Sequence, residues 1–209
     1  MATTVLIADD HPLFRQALAL AVQRVVPDVH LLEAGTLAAA SRAVGEAEGL
    51  RLILLDLKMP GAVGYSGIAL LHAERPEVPI LVISSAEGES AAQEARAFGA
   101  IGFLRKDADL SVIEAAIARA LDAVPPVPTT ASAQPEDKVR ETVAGLTPTQ
   151  LKVLLAVLEG QLNKQIAHSL GMSEATVKAH MTAIMRKLDV RNRTQAALVA
   201  RSLGLDLKH

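Results

Sequence analysis

No cysteine occurs anywhere in the 209 residues, which excludes disulfides, thiolate zinc sites and a cysteine nucleophile, and is compatible with a reducing cytoplasm. No apolar run approaches the roughly 20 residues that span a bilayer. The first ten residues, MATTVLIADD, have no basic region and reach paired acids after a short apolar stretch, so they do not read as a secretory signal peptide. No internal repeat is visible. A soluble, cytoplasmic protein without membrane attachment is expected. Half of the residues are hydrophobic, enough to bury a core and too many for a disordered chain.

Positive charge is scarce in the first two thirds and concentrated at the end. Residues 146–209 hold nine lysines and arginines against four acids, a balance of +5, so residues 1–145 carry −7 of the total of −2. A basic unit following an acidic one points to nucleic-acid contact by the former alone. On charge alone, two ordinary solvated surfaces fit equally well. Between them, residues 123–145 contain four prolines and few large apolar side chains before Val139. Proline interrupts helix and small polar residues build no core, so this stretch reads as an extended linker between domains at 1–122 and 146–209.

The first domain alternates short apolar runs with helical patterns. Strands are expected at 4–8, 29–33, 50–55, 80–84 and 102–104. Leu13, Phe14, Ala17, Leu18, Ala21 and Val22 recur at helical spacing, as do Leu37, Ala40, Val44 and Ala47, and Leu110, Ile113, Ile117 and Leu121. Such alternation builds a doubly wound parallel α/β sheet, five-stranded here and flavodoxin-like, with ligands outside the C-terminal strand ends. At those ends stand Asp9 and Asp10, Asp56, Ser84 and, after the fifth strand, Lys106. A lone Asp after a strand is usually a helix cap and a lone Lys usually solvated. The full set, one group per strand, is specific. Converging carboxylates call for a hard divalent cation such as Mg²⁺, and Asp56 then acts as a nucleophile toward phosphorus with Lys106 neutralising charge.

The second domain shows no strand pattern. Thr147-Pro148 opens a helix running to Gly160, a short helix covers 164–170, Gly171-Met172-Ser173 makes a turn, Ser173 caps a helix over 174–188, and a fourth runs from Thr194 to about Leu203 with Gly204 as its stop. This four-helix, all-α unit contains a helix-turn-helix whose longer helix carries Val177, Met181, Ile184 and Leu188 on one stripe. Opposite them lie Lys178, Thr182 and, toward the end, Arg186 and Lys187. A plain bundle with a basic face would look similar. His168 and His180 have no metal-binding spacing and read as structural.

The segments IADDH (7–11), LLDLKMPG (54–61), VISSA (82–86) and GFLRK (102–106) resemble the receiver domains of two-component response regulators over residues 1 to about 122. The resemblance implies Asp56 as phosphoacceptor, Asp10 and Asp56 as Mg²⁺ ligands with the Lys58 backbone carbonyl, and Asp9 acting through water. It further implies Lys106 on the phosphoryl oxygens and Ser84 with Phe103 as the switch pair. Ser84 stands where Thr is equally familiar, and Phe103 where Tyr is common, so the aromatic cannot hydrogen-bond. His11 is expected at a helix start, without a metal role. LTP (146–148), NKQIA (163–167), SEATVKAH (173–180) and KLDVRNRT (187–194) resemble the LuxR-type DNA-binding domain over 146–209. That likeness implies Lys178, Ala179 and Thr182 facing DNA, Lys164 on phosphate and the last helix in dimerisation. Together the halves resemble the NarL/FixJ subfamily. They imply a non-enzymatic regulator that takes phosphate from a sensor histidine kinase, forms a homodimer when active and binds double-stranded DNA. A metal-dependent phosphatase would want a second acid two residues after the nucleophile, where Lys58 stands. A DNA-binding protein with a degenerate receiver is disfavoured by the intact acid set.

Overall fold

Thr4–Ala8 (β1) is buried at every position, as a strand must be when helices cover both faces of its sheet. In the computed structural model, which describes residues 3–85, 89–122, 142–143, 145–202 and 205, β1 is joined by β2 (His30–Ala34), β3 (Leu50–Leu55), β4 (Ile80–Ser84) and β5 (Ala100–Arg105). The order is β2-β1-β3-β4-β5 and every pairing is parallel. The intervening helices are α1 (Pro12–Val25), α2 (Leu37–Glu46), α3 (Ser66–Glu74), α4 (Glu89–Ala97) and α5 (Leu110–Asp122). The chain runs outward from β1 in one direction to β2 and in the other to β3, so the crevice for a ligand opens above β1 and β3.

Strand alternation divides the core. Val5, Ile7, Leu52, Leu54 and Ile83 pack with Leu18 and Val22 of α1 and with Ile113 and Ile117 of α5. Leu6, Ile53 and Leu55, equally buried, belong by alternation to the other face, where Gly67 of α3 lies against Leu55. Two of the expected strands begin or end one or two residues away from their expected limits, the ordinary scatter of strand ends.

Helices α3 and α4 are not foreshadowed by periodicity. Residues 66–71 of α3 are all buried, and a helix apolar all round has no stripe to detect. Helix α4 buries only alanines among its described side chains, which leaves little contrast between its faces.

The second unit comprises α6 (Pro148–Leu158), α7 (Asn163–Ser169), α8 (Glu174–Lys187) and α9 (Arg193–Ser202). Thr147 and Gln150 form a reciprocal capping box at the start of α6. Val153, Leu154, Ile166, Val177, Met181, Ile184 and Ala196 supply the core. Gly171 has φ +64°, the left-handed conformation that lets α7 turn sharply into α8. Most of the expected linker, residues 123–141 and 144, and the expected helix stop at Leu203 and Gly204 lie outside the described residues. No helix among the described residues is long and apolar enough to cross a membrane.

Helix α7 begins on an unusual cap. Its N-cap is Leu162, 68% exposed, with no side-chain cap bond; only the reverse half of a capping box exists, Gln165 Oε1 accepting from the Leu162 N–H at 2.7 Å. Leu162→Ser supplies the missing acceptor and is expected to stabilise the helical unit by about 1 kcal/mol. Denaturant unfolding followed by far-ultraviolet circular dichroism checks this, and an unchanged midpoint refutes it.

Candidate functional site

The ends of the central strands are tied together by backbone bonds that continue the sheet. Asp56 N–H donates to Ala8 at 2.8 Å, Asp9 N–H to Ala34 at 3.0 Å and Lys106 N–H to Ser84 at 3.1 Å. These bonds deliver Asp9, Asp56, Ser84 and Lys106 to one spot. Asp9, Asp56 and Ser84 are all but inaccessible, at 1%, 2% and 0% exposure. The Asp56 carboxylate is gripped on both oxygens. Oδ1 accepts from Ser84 Oγ at 3.0 Å and from the Lys58 N–H at 3.1 Å, while Oδ2 accepts from Lys106 Nζ at 2.7 Å.

Lys106 is shared, for Nζ also lies 2.6 Å from Asp9 Oδ2. Burial alone would lower its pKa, but hydrogen bonds and charge attraction from Asp56 and Asp9 outweigh burial and raise it above the ordinary lysine value. A raised ammonium pKa means that the stabilisation is fully present below the usual lysine pKa and is lost as pH rises through the higher folded-state value. The bridge is therefore intact at neutral pH. Beneath the ammonium lies the Phe14 ring, 4.8 Å to its centroid, a favourable cation–π contact.

Asp10 and His11 complete the cluster. One ligand atom from each of Asp9, Asp10, His11 and Asp56 falls within 4.8 Å of the others. Asp9 Oδ2 and Asp10 Oδ1 are buried, each with one nitrogen neighbour, Lys106 Nζ at 2.6 Å and His11 Nδ1 at 2.7 Å respectively. Buried carboxylate oxygens with capacity to spare fit a hard divalent cation. His11 is the N-cap residue of α1, the position expected from sequence, and its ring additionally faces both acids. Phe103 is half-buried on β5 and, with Ile101, Arg96 and Arg119, lines a cavity of about 420 Å³.

In the helical unit, α8 buries Val177, Met181 and Ile184, and its C-cap Leu188 is buried on the same stripe. Lys178, Ala179, Thr182 and Arg186 are exposed on the opposite side, and Lys164 is exposed in the first turn of α7. Lys187 departs from the sequence picture of a free basic face. Its ammonium donates to the Gly145 carbonyl at 2.9 Å and to Gln150 Oε1 at 3.0 Å. Arg193 is likewise engaged, with Asn163 Oδ1 and the Gln161 carbonyl.

Sequence reasoning passed over Arg15, which donates to the Asp9 carbonyl at 2.7 Å and pairs with Glu33 at 3.0 Å. It steadies the backbone of the acid pair from α1. Its one sequence signal is a cation inside an otherwise apolar helix start, too common to single out. Phe14 could be placed on the core stripe but not beneath a lysine 92 positions later in the sequence.

Comparison with known proteins adds two family matches: residues 5–118 match the response regulator receiver domain, and residues 144–200 match the bacterial regulatory proteins of the luxR family. The chain is 38% identical over 207 residues to the glycerol metabolism activator of Pseudomonas putida, covering 94% of each. It is 30% identical to the nitrate/nitrite response regulator protein NarL of Escherichia coli K12, covering 93% of each. Among solved structures, the Salmonella typhimurium RcsB response regulator superposes with a TM-score of 0.52 at 21% identity, over 98% of this chain and 100% of that one, a likeness of fold.

Proposed function

This chain belongs to the two-component response regulators of the NarL/FixJ type, non-enzymatic transcription regulators in which a receiver domain precedes a LuxR-type DNA-binding domain, and from that membership we propose that phosphorylation of Asp56 gates its binding to DNA. The observation that carries the reading is the Asp56 carboxylate, 2% exposed and held between Lys106 and Ser84 beside Asp9 and Asp10. We assign the receiver to residues 1–122, the linker to 123–145 and the DNA-binding domain to 146–209.

A sensor histidine kinase donates the phosphoryl group. An Asp56 oxygen lone pair forms the new bond to phosphorus as the phosphorus–nitrogen bond of the phosphohistidine breaks, its electrons returning to the imidazole. Asp10 and Asp56, the Lys58 carbonyl and, through water, Asp9 would hold Mg²⁺, which when bound neutralises charge on the phosphoryl oxygens. Lys106 already touches the acceptor carboxylate and needs only to turn its ammonium onto a phosphoryl oxygen. Ser84 exchanges its bond to Asp56 Oδ1 for one to the phosphoryl group, and Phe103 moves into the space it leaves. The phosphorylated population is thereby shifted toward a second receiver surface.

The output is a homodimer on double-stranded DNA, with α8 in the major groove, two half-sites related by two-fold symmetry and α9 in the dimer contact. Leu198 on α9, 59% exposed, supplies apolar surface for that contact. The protein acts in the cytoplasm. Footprinting of the full-length protein on genomic DNA, with Mg²⁺ and with or without a small phosphodonor, tests the reading; identical footprints and affinities in both arms would overturn it.

Lys106→Ala is expected to leave some phosphorylation of Asp56 while reducing the phosphorylation-dependent gain in DNA affinity severalfold, because the ammonium that holds a phosphoryl oxygen beside the metal is lost. Titrating the DNA with phosphorylated and unphosphorylated variant measures the gain directly, and a gain equal to that of the parent removes Lys106 from the switch.

A further inference from the structure

The outward stripe of α8 is poor in free hydrogen-bonding groups. In the N-terminal part of a recognition helix, the part that reaches base edges, here residues 174–182, the residues on that stripe are Ala175, Lys178, Ala179 and Thr182, all exposed. Two are alanines. The Thr182 hydroxyl donates its proton to the Lys178 carbonyl at 3.0 Å, so it has no proton left to give a base edge and presents its methyl beside an oxygen that can only accept. The hydroxyls at the helix start are engaged as well, with Ser173 Oγ capping the Thr176 N–H at 3.1 Å and lying 2.8 Å from Thr176 Oγ1. Of these groups only the Lys178 ammonium is an uncommitted donor. No Asn, Gln or Arg stands among residues 174–182, so the bidentate pairings with adenine and guanine that such side chains make are absent from them.

Resting on the assignment of α8 to the major groove, we propose that this helix reads its half-site mainly through the 5-methyl groups of thymines, contacted by the methyls of Ala175, Ala179 and Thr182, with Lys178 supplying the one charged contact to a guanine edge. Thymine is the only base with a methyl in the major groove, and alanine and threonine methyls are the side-chain groups that pack on it. The half-site this favours is thymine-rich with a guanine beside it. Sequence preference then comes largely from burial of apolar carbon, whereas the phosphate contacts supply affinity to any sequence.

The test removes only the methyl group. Full-length protein with Mg²⁺ and a phosphodonor is used to enrich a duplex from random DNA, and affinity is then measured on that duplex with each thymine in turn replaced by deoxyuridine. A buried methyl corresponds to about a fourfold change in affinity, so about fourfold weakening is expected at two or three positions per half-site. Thr182→Ser, which keeps the hydroxyl, should erase the thymine-over-uracil preference at one of them, and Thr182→Val, which keeps the methyl, should preserve that ratio. Ala179→Gly should erase another. If the enriched duplex binds selectively but no deoxyuridine position changes affinity by as much as about twofold, hydrogen bonds do the reading and the inference fails while the DNA-binding role stands. If Thr182→Val loses the preference and Thr182→Ser keeps it, the hydroxyl is the reader and the inference again fails. Failure to enrich any sequence would remove the DNA-binding role itself, and this inference with it.

Discussion

Asp56→Asn is expected to bring phosphorylation by a small phosphodonor with Mg²⁺ down to background. The amide keeps the size of the side chain and can still meet Ser84 and the Lys58 N–H through its oxygen, so the fold should survive. What is lost is the carboxylate nucleophile and one of the charges that a divalent cation needs. Lys106 keeps Asp9 as a partner at 2.6 Å, which leaves the ammonium paired. Hydroxylamine-labile phosphate, resolved by mobility shift on a phosphate-affinity gel, is the readout, with circular dichroism confirming the fold. If the variant still accumulates such a phosphoprotein, another carboxylate is the acceptor, and the arrangement around Asp56 serves some other end. The same variant should show no response of DNA affinity to the phosphodonor.

Lys178→Ala should weaken binding to the preferred DNA sequence by about 1–3 kcal/mol, the range for loss of a base-edge contact, and should change non-specific binding far less. Lys164→Ala makes the contrast. As a phosphate contact it should weaken binding to all sequences alike and reduce the slope of log affinity against log salt by roughly 0.9. The two variants separate reading from anchoring, because both lysines are exposed and, among the described residues, neither ammonium is tied to another side chain. If Lys178→Ala leaves both affinity and preference intact, α8 is not the helix in the groove.

The positions of the acidic site are legible in the sequence because each follows an uninterrupted apolar run that can only be a buried strand. The runs VLIA (5–8), LILL (52–55) and ILVI (80–83) end abruptly in Asp or Ser, and the doubly wound topology brings those ends together. The partners across the site are less legible. That Lys106 is held between Asp9 and Asp56, above Phe14, depends on how β1, β3 and β5 place residues far apart in the chain, and local pattern carries no such distance. Helix α3 is hidden for the opposite reason to α4: the former has too many buried side chains and the latter too few large ones. On the DNA-binding side, the stripe of α8 follows from helical period. The use of each cation does not, since Arg186 and Lys187 are adjacent in sequence, yet Lys187 bends back to Gly145 and Gln150.

That last contact has a mechanical meaning. Lys187 is the final residue of α8, and its two acceptors lie at the other end of the helical unit's sequence, Gly145 just before α6 and Gln150 in its first turn. The ammonium is a strut that braces the far end of α8 against the start of its own unit, while the Ser173 cap and the Gly171 turn hold the near end. A helix fixed at both ends resists tilting as a rigid rod does, so the face it presents keeps one orientation.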